Sequence, residues 1–140
     1  MTESLYVEVS HEMEHGIYIY NGKGWTRISG IKDVPDGASI LYFSNARCPA
    51  CKEFNKTWND MTKELQEKVS LVVVLCGWFE EDCSSREAAK LFDTMAVFGT
   101  PTIVSVCKKN GEIVSVSVHP GFKSPEELRD IVQRHLEKCK

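Results

Sequence analysis

The stretch SNARCPACKEF, residues 44–54, contains two cysteines with two residues between them, Cys48 and Cys51. The apolar run SILYF, residues 39–43, leads into it and predicts a strand, and apolar side chains at helical spacing follow it. Cys48 is therefore expected at a junction between a strand and a helix. A pair of cysteines with this spacing is typical of half a zinc site, a structural disulfide or a redox-active dithiol.

The segments after this stretch show alternating helix and strand patterns. Apolar side chains at helical spacing predict an amphipathic helix over residues 49–68. The β-branched run at residues 71–75 predicts a strand covered on both faces, and residues 88–95 predict a second helix. Two strand patterns around the turn at residues 108–111 predict a hairpin. The sequence SPEE, beginning at Ser124, predicts a capping box and a final helix.

The first 35 residues carry strand patterns of their own. Residues 5–9 alternate like a half-buried strand, and IYIYNGKGWTRI, residues 17–28, predicts a hairpin with glycines in its turn. We therefore expect a single domain over residues 1–140. It consists of an N-terminal β extension, residues 1–35, and a core, residues 36–140. The predicted class is α/β, with a central mixed β-sheet flanked by helices.

Composition excludes several classes of function. A chain of 140 residues buries a sufficient core without metal or disulfides. The net charge of −3 argues against nucleic acid or an anionic membrane as the main partner. No apolar run approaches the ~18 residues of a membrane span, and the N-terminus lacks a signal-peptide pattern, which predicts a cytoplasmic location. Six cysteines are many for that compartment.

The position of Cys48 predicts the chemistry of the pair. At a helix N-terminus, unpaired backbone N–H groups and the helix macrodipole favour a thiolate, and Arg47 and Lys52 add positive charge nearby. Cys51, one turn inside the helix, is expected to be more buried. We therefore predict that Cys48 attacks a substrate disulfide and that Cys51 resolves the mixed disulfide.

A second motif supports this interpretation. GTPT, residues 99–102, places Pro101 at the start of a predicted strand, where a proline indicates a turn or a cis bond. A cis proline that faces the cysteines exposes backbone groups for pairing with an extended substrate. Arg47, Pro49, Thr100 and Pro101 are accordingly predicted to support the active site.

These motifs together resemble the thioredoxin superfamily over about residues 36–137. The resemblance lies in DGASILYF before the cysteines, CPACK, GTPT and a glycine three residues before the last helix cap. It implies a cis peptide at Thr100–Pro101 and dithiol–disulfide exchange with protein thiols and disulfides, with no bound cofactor or metal. It also implies an upstream reductase or oxidase and a part in cell redox homeostasis. We expect a monomer.

The chain also departs from known members of this superfamily. Thioredoxins proper carry a buried aspartate six residues before the first cysteine, and that position is Tyr42 here. The lead-in to the cysteines is closer to that of glutaredoxins, but the tyrosine inside their motif is Ala50 here. The subfamily therefore remains unassigned. Pro49 and Arg47 predict a redox couple more oxidising than the roughly −270 mV of thioredoxin.

The remaining four cysteines are candidates for second disulfides. Cys76 is expected at the end of a strand parallel to the one that leads to Cys48, and a bond to Cys83 closes a short loop there. Cys107 and Cys139 are both predicted at the opposite pole, although sequence alone does not determine connectivity. We hypothesise that both pairs form structural disulfides, with Cys76–Cys83 as a candidate redox relay.

Three other interpretations are kept beside the oxidoreductase. The first is a non-catalytic binding or chaperone module in which the Cys48–Cys51 pair is structural. The second is a zinc site or metal carrier, for which the spacing of the second cysteine pair is unusual. The third is a metal role for HEMEH, residues 11–15, which matches HExxH but lies between two strand patterns and favours a solvated loop.

Overall fold

The computed structural model describes residues 6–140. They form six strands: β1 (Gly16–Tyr20), β2 (Trp25–Ile28), β3 (Gly37–Asn45), β4 (Ser70–Cys76), β5 (Thr102–Lys109) and β6 (Glu112–Pro120). The helices are α1 (Pro49–Leu65), α2 (Arg86–Thr94) and α3 (Pro125–Lys138), with a short 3-10 turn at Ile31–Asp33. Among residues 6–140, none of these helices combines the length and apolar character that a membrane span requires.

All six strands belong to one sheet in the order β2-β1-β4-β3-β5-β6. β3 and β4 are parallel, and the hairpin β5–β6 joins the other side of β3 in antiparallel orientation. The hairpin β1–β2 adds to the outer edge of β4, also antiparallel. The predicted α/β class, with a mixed sheet flanked by helices, is confirmed.

The helices cover both faces of the sheet. On one face, α1 and α3 bury apolar side chains such as Phe54, Trp58 and Leu128 against the sheet. On the other face, α2 buries Leu91 and Phe92 in a second cluster. The central residues of the parallel strands β3 and β4, 40–43 and 71–75, lie between the clusters, which explains why they are all apolar.

Two boundaries differ from the sequence-based prediction. Residue 5 lies outside the described residues, and residues 6–9 form no strand, since Tyr6 makes only a single bridge to Trp25. The backbone of Val9 is bonded instead to the side chain of Asn59, at 2.9 and 3.0 Å, so that this segment packs along α1. Helix α1 ends at Leu65 rather than at residue 68, because a turn there carries Val69 into the core.

Local turn and cap signals agree with the structure. In the β1–β2 turn, Gly22 has φ 93°, a conformation that a glycine adopts without steric cost. At the start of α3, the Glu127 N–H donates to Ser124 Oγ at 3.1 Å, and the Ser124 N–H donates to Glu127 Oε1 at 2.9 Å. This is the predicted capping box.

The connection between the N-terminal hairpin and β3 is held by a buried lysine. Lys108, on β5, is almost fully buried. Its ammonium donates to the carbonyl oxygens of Ile31 and Val34 at 2.9 and 2.7 Å. These bonds attach the connection to β5. They also satisfy an ammonium charge that is costly to bury without partners.

Candidate functional site

Cys48 occupies the N-cap position of α1, three residues after the end of β3. Its backbone is extended, and its Sγ accepts a hydrogen bond from the Cys51 N–H at 3.2 Å. Pro49 is the first helical residue, where a missing N–H leaves no bond unmade. The sulfur therefore takes the place that a serine or aspartate oxygen takes in an ordinary N-cap, where backbone donors favour an anion.

The two thiols are unequal. Both are unbonded to other cysteines, and Cys48 is 6% exposed whereas Cys51 is 0% exposed. Burial raises the pKa of the Cys51 thiol to about 11, and a hydrogen bond and the charge of Cys48 add to that shift. Cys51 is therefore a thiol at neutral pH, and the predicted order of burial is observed.

The peptide bond between Thr100 and Pro101 is cis. The carbonyl oxygen of Thr100 lies 3.5 Å from Cys48 Sγ, within reach of the thiol proton. The Gly121 N–H donates to the Pro101 carbonyl at 2.9 Å, which ties this loop to the end of β6. The proline loop and the dithiol thus form one site.

Asn45, the last residue of β3, is a site residue that the sequence analysis missed. It is fully buried; its Nδ2 donates to Thr100 Oγ1 at 3.1 Å, and its Oδ1 accepts from the Phe79 N–H at 2.7 Å. One amide therefore connects the proline loop to the loop at residues 77–83. The available signal was a polar residue at the end of the strand that leads into the cysteine motif.

The Arg47 guanidinium pairs with Asp82, whereas the sequence predicted that its charge acts on Cys48. Its Nη1 lies 2.7 Å from Asp82 Oδ2 in an ion pair whose two side chains are about half exposed or more. The backbone N–H of Arg47 also donates to the Gly77 carbonyl at 3.1 Å. Arg47 therefore attaches the loop at residues 77–83 to the dithiol loop, and much of its charge is directed to Asp82 rather than to Cys48.

Tyr42 lies beneath the dithiol on β3. Its hydroxyl donates to Asn55 Oδ1 at 2.6 Å and lies 3.1 Å from the carbonyl oxygen of Cys51. Burial raises the pKa of Tyr42 well above its ordinary value. Tyr42 therefore remains protonated and holds the first turns of α1 in place, and it is not an acid or base near neutral pH.

The structure joins the four remaining cysteines in two disulfides. Cys76 is bonded to Cys83 across the loop at residues 77–82, and Cys107 is bonded to Cys139, which attaches β5 to the end of α3. Cys76 packs in the cluster beneath α2, whereas α1 lies on the opposite face of the sheet. The Cys76–Cys83 disulfide and the dithiol therefore lie at the same end of the sheet but on different faces.

Three exposed aromatic side chains lie on loops that are joined to the site. Trp78 lies in the loop attached to Arg47. Phe98 precedes Thr100 by two residues and is 86% exposed, and Phe122 directly follows the Gly121 that is bonded to the proline loop. Such exposed apolar side chains are typical of surfaces that contact other proteins.

HEMEH, residues 11–15, does not form a metal-binding helix. His15 Nδ1 accepts a hydrogen bond from the Ser84 N–H at 2.9 Å, and Met13 is buried in the core beside α1. Among residues 6–140, no three or more His, Cys, Asp or Glu side chains are grouped as metal ligands. These contacts give the segment a packing role.

The matches between this chain and known proteins span most of its length. A family profile described as a thioredoxin-like domain matches residues 35–136. The thioredoxin from Aeropyrum pernix is 25% identical with a TM-score of 0.60, covering 86% of this chain and 98% of that one. The thioredoxin of Malassezia sympodialis is 19% identical, with a TM-score of 0.53 and coverage of 78% and 88%. Thioredoxin-2 of the malaria parasite is 21% identical, with a TM-score of 0.53 and coverage of 74% and 87%. No curated protein matches the chain significantly.

Proposed function

Since this chain belongs to the family of thioredoxin-like domains, we propose that it is a thiol–disulfide oxidoreductase that acts on protein substrates through Cys48 and Cys51. The thioredoxin-like fold, with its mixed sheet and flanking helices, supports a redox function. One observation carries the finer proposal: a cysteine at the N-cap of α1 has a second, fully buried thiol behind it and the Thr100 carbonyl beside it.

The first step is attack on the substrate. The Cys48 thiolate attacks one sulfur of a substrate disulfide, a Cys48–substrate bond forms, and the other substrate sulfur leaves as a thiolate that takes a proton from water. The Cys51 N–H and the helix N-terminus stabilise negative charge on Cys48 Sγ before the attack. The raised pKa of Cys51 keeps that thiol protonated, which prevents it from competing as the nucleophile.

The second step releases the substrate. Cys51 loses its proton and attacks Cys48 Sγ, the Cys48–Cys51 disulfide forms, and the substrate leaves as a second thiolate that takes up a proton. In the mixed disulfide Cys48 carries no negative charge, so one cause of the high Cys51 pKa is removed when resolution is needed. Two electrons thus pass from the dithiol to the substrate, and another thiol system then reduces the Cys48–Cys51 disulfide. The reverse sequence of steps makes the protein an oxidase.

Protein substrates are favoured over small disulfides by the surface around the site. Trp78, Phe98 and Phe122 present exposed aromatic rings on three separate loops. The first loop is bonded to Arg47, the second contains Thr100, and the third is bonded to Pro101. The adjacent Thr100 carbonyl lies beside Cys48, where an extended substrate segment has a backbone partner. Aromatic side chains at such a surface are the residue type that most often dominates protein binding energy.

The role of Cys76–Cys83 as a redox relay stays a prediction. Direct exchange with Cys48 requires the loop at residues 77–83 to leave its place, because Cys76 is packed beneath α2 on the other face. A structural role for this bond agrees better with its surroundings. It closes the loop that supplies Asp82 to Arg47 and the Phe79 N–H to Asn45.

A pair of cysteine variants tests the proposal. Cys48→Ser should abolish the reduction of insulin disulfides, whereas Cys51→Ser should accumulate a mixed disulfide with the substrate that is visible by mass spectrometry. Cys107→Ser together with Cys139→Ser is the matched control, because this disulfide joins β5 to the end of α3 away from the dithiol, and it should retain dithiol activity. If Cys48→Ser reduces insulin as fast as the unchanged protein, the dithiol mechanism is wrong.

The runner-up function is a binding or chaperone module with a structural Cys48–Cys51 pair. The same Cys48→Ser variant separates the two, since a binding module keeps its partner interaction and has no exchange activity to lose. The direction of electron flow is a separate question. A redox titration of the dithiol addresses it, and a potential at or below the roughly −270 mV of thioredoxin contradicts the predicted oxidising couple.

A further inference from the structure

Strand β6 is a long edge of the sheet. It is nine residues long and pairs with β5 on one side only. The opposite edge is formed by β2, which has only four residues and is bridged by Tyr6, whose carbonyl accepts from the Trp25 N–H at 2.6 Å. Among residues 6–140, no strand lies on the outer side of β6. Its outward backbone groups therefore remain available for pairing with another strand.

The same strand carries an uncovered apolar face. Val116 and Val118 pair with Val106 and Val104, which belong to the cluster beneath α2. Helix α2, however, packs against β4 and β1, on the far side of β3. As a result, the valines of β6, at positions 114, 116 and 118, are between 42% and 56% exposed. From residue 113 to residue 118 the strand contains no charge or proline, two of the devices that keep an edge unpaired. A third device, a β-bulge, is present only near the start of the strand, where the register with β5 shifts between Ser115 and Ile113.

The sequence of β6 is nearly its own mirror image. In EIVSVSVHP, residues 112–120, Val116 is the centre, with a serine on each side, then a valine on each side. If a second copy pairs antiparallel about Val116, Val114 lies opposite Val118 and Ser115 lies opposite Ser117. Each valine then meets a valine and each serine meets a serine, on separate faces of the sheet. An isologous interface requires this kind of self-complementarity.

The ends of the strand are complementary in charge. In that register Glu112 lies opposite Pro120 of the second copy. The Lys123 ammonium is held at this position, because it donates to the carbonyl oxygen of Pro120 at 2.6 Å. A carboxylate of one copy therefore meets an ammonium of the other, and the twofold axis creates this pair at both ends. A strand of unrelated sequence is not expected to place opposite charges at these two positions.

We propose that β6 pairs with β6 of a second copy, antiparallel and centred on Val116, so that two chains form one continuous sheet of twelve strands. β6 runs in the same direction as β3, since each is antiparallel to β5. The two dithiol sites therefore lie at opposite ends of the joined sheet, and Cys48 remains outside the interface. The expectation of a monomer is replaced by a homodimer whose formation is independent of redox activity.

Sedimentation velocity between about 1 μM and about 1 mM tests the dimer directly. The protein should shift from monomer to dimer as its concentration rises. Val116→Lys places two ammonium groups at the twofold axis and should weaken association by more than about tenfold. Val7→Lys is the matched control, because Val7 is a highly exposed valine outside β6, and it should leave association unchanged. A monomer at every concentration, or a dimer insensitive to Val116→Lys, overturns the proposal.

A charge exchange tests the register without altering the apolar face. Glu112→Lys and Lys123→Glu should each weaken the dimer by about two- to tenfold, and the double variant should recover most of the loss. Recovery shows that the two groups meet across the interface; two additive losses contradict the register. Hydrogen exchange distinguishes the dimer from the alternative in which a substrate strand pairs with β6. If β6 amides of a monomer gain protection only when insulin chains are added, the edge accepts a substrate strand and the dimer is wrong.

Discussion

At the scale of single residues, the roles of the two cysteines follow from their surroundings. Cys48 has backbone donors and a place at a helix N-terminus, whereas Cys51 has lost contact with water. Thioredoxins proper place a buried aspartate at the position of Tyr42. The hydroxyl there contacts Asn55 and the Cys51 carbonyl instead. The Cys51 proton therefore leaves without help from a carboxylate at this position.

The effect of the Cys48 charge on the pKa of the Cys51 thiol is measurable. In Cys48→Ser, the pKa of Cys51 should fall below about 11, because the negative charge of Cys48 no longer opposes the ionisation of its neighbour. The pKa should still exceed its ordinary value, because burial is the larger cause. The ¹³Cβ chemical shift of Cys51, followed against pH, reports this titration. An unchanged pKa in the variant contradicts a contribution from Cys48.

At the scale of elements, Asn45 decides how the loops around the dithiol are arranged. Its amide is the link between the end of β3, the proline loop and the loop at residues 77–83. Arg47 makes a second link to that loop through Asp82. The exposed Arg47 pair contributes about 0–1 kcal/mol at most, so we expect the buried amide to be the stronger connection.

Asn45→Ala should lower the free energy of unfolding by about 1–3 kcal/mol, because it removes a buried amide and leaves the half-buried Phe79 N–H without an acceptor. It should also speed hydrogen exchange in both loops and slow the exchange reaction with protein substrates. Asn59→Ala is the matched control, since it removes two hydrogen bonds to Val9 away from the dithiol. If both variants slow the reaction equally, the effect of Asn45 is general destabilisation rather than positioning of the site.

Elements with a local signal were predictable from the sequence. The helical spacing before Leu65, the apolar run of β4 and the Ser124 capping box each depend on neighbours within a few positions. The contacts Asn45–Phe79 and Arg47–Asp82 join residues 34 and 35 positions apart. Such contacts depend on which loops the sheet brings together, and a single sequence carries no periodic pattern for them. The segment at residues 6–9 was misassigned because the side chain of Asn59 on α1 binds the backbone of Val9.

At the scale of the whole molecule, two disulfides restrain regions of different size. Cys76–Cys83 closes a separation of seven residues within one loop. Cys107–Cys139 closes a separation of 32 residues and fixes α3 to β5. Because a cross-link stabilises mainly by restricting the unfolded chain, the longer closure should contribute more.

Replacing both cysteines of each pair with serine should therefore separate the two contributions. Loss of Cys107–Cys139 should lower the free energy of unfolding by about 3–4 kcal/mol, and loss of Cys76–Cys83 by about 2–3 kcal/mol. Urea unfolding of the two double variants measures both values, with Cys48 and Cys51 also replaced by serine in every protein compared, so that no reductant is needed. Equal losses, or a larger loss at the short loop, contradict the loop-length argument and indicate that packing around Cys76 dominates.

The lysine bonded to Ile31 and Val34 has a consequence for where this protein can be shortened. A chain cut back to the profile-matched segment, residues 35–136, leaves the Lys108 ammonium without either acceptor. The same cut removes β1 and bares β4, a β-branched strand with no charge along its length. We expect such a fragment to precipitate as fibrils rather than fold, detectable by thioflavin binding. The segment that the family profile matches is therefore shorter than the unit that we expect to fold.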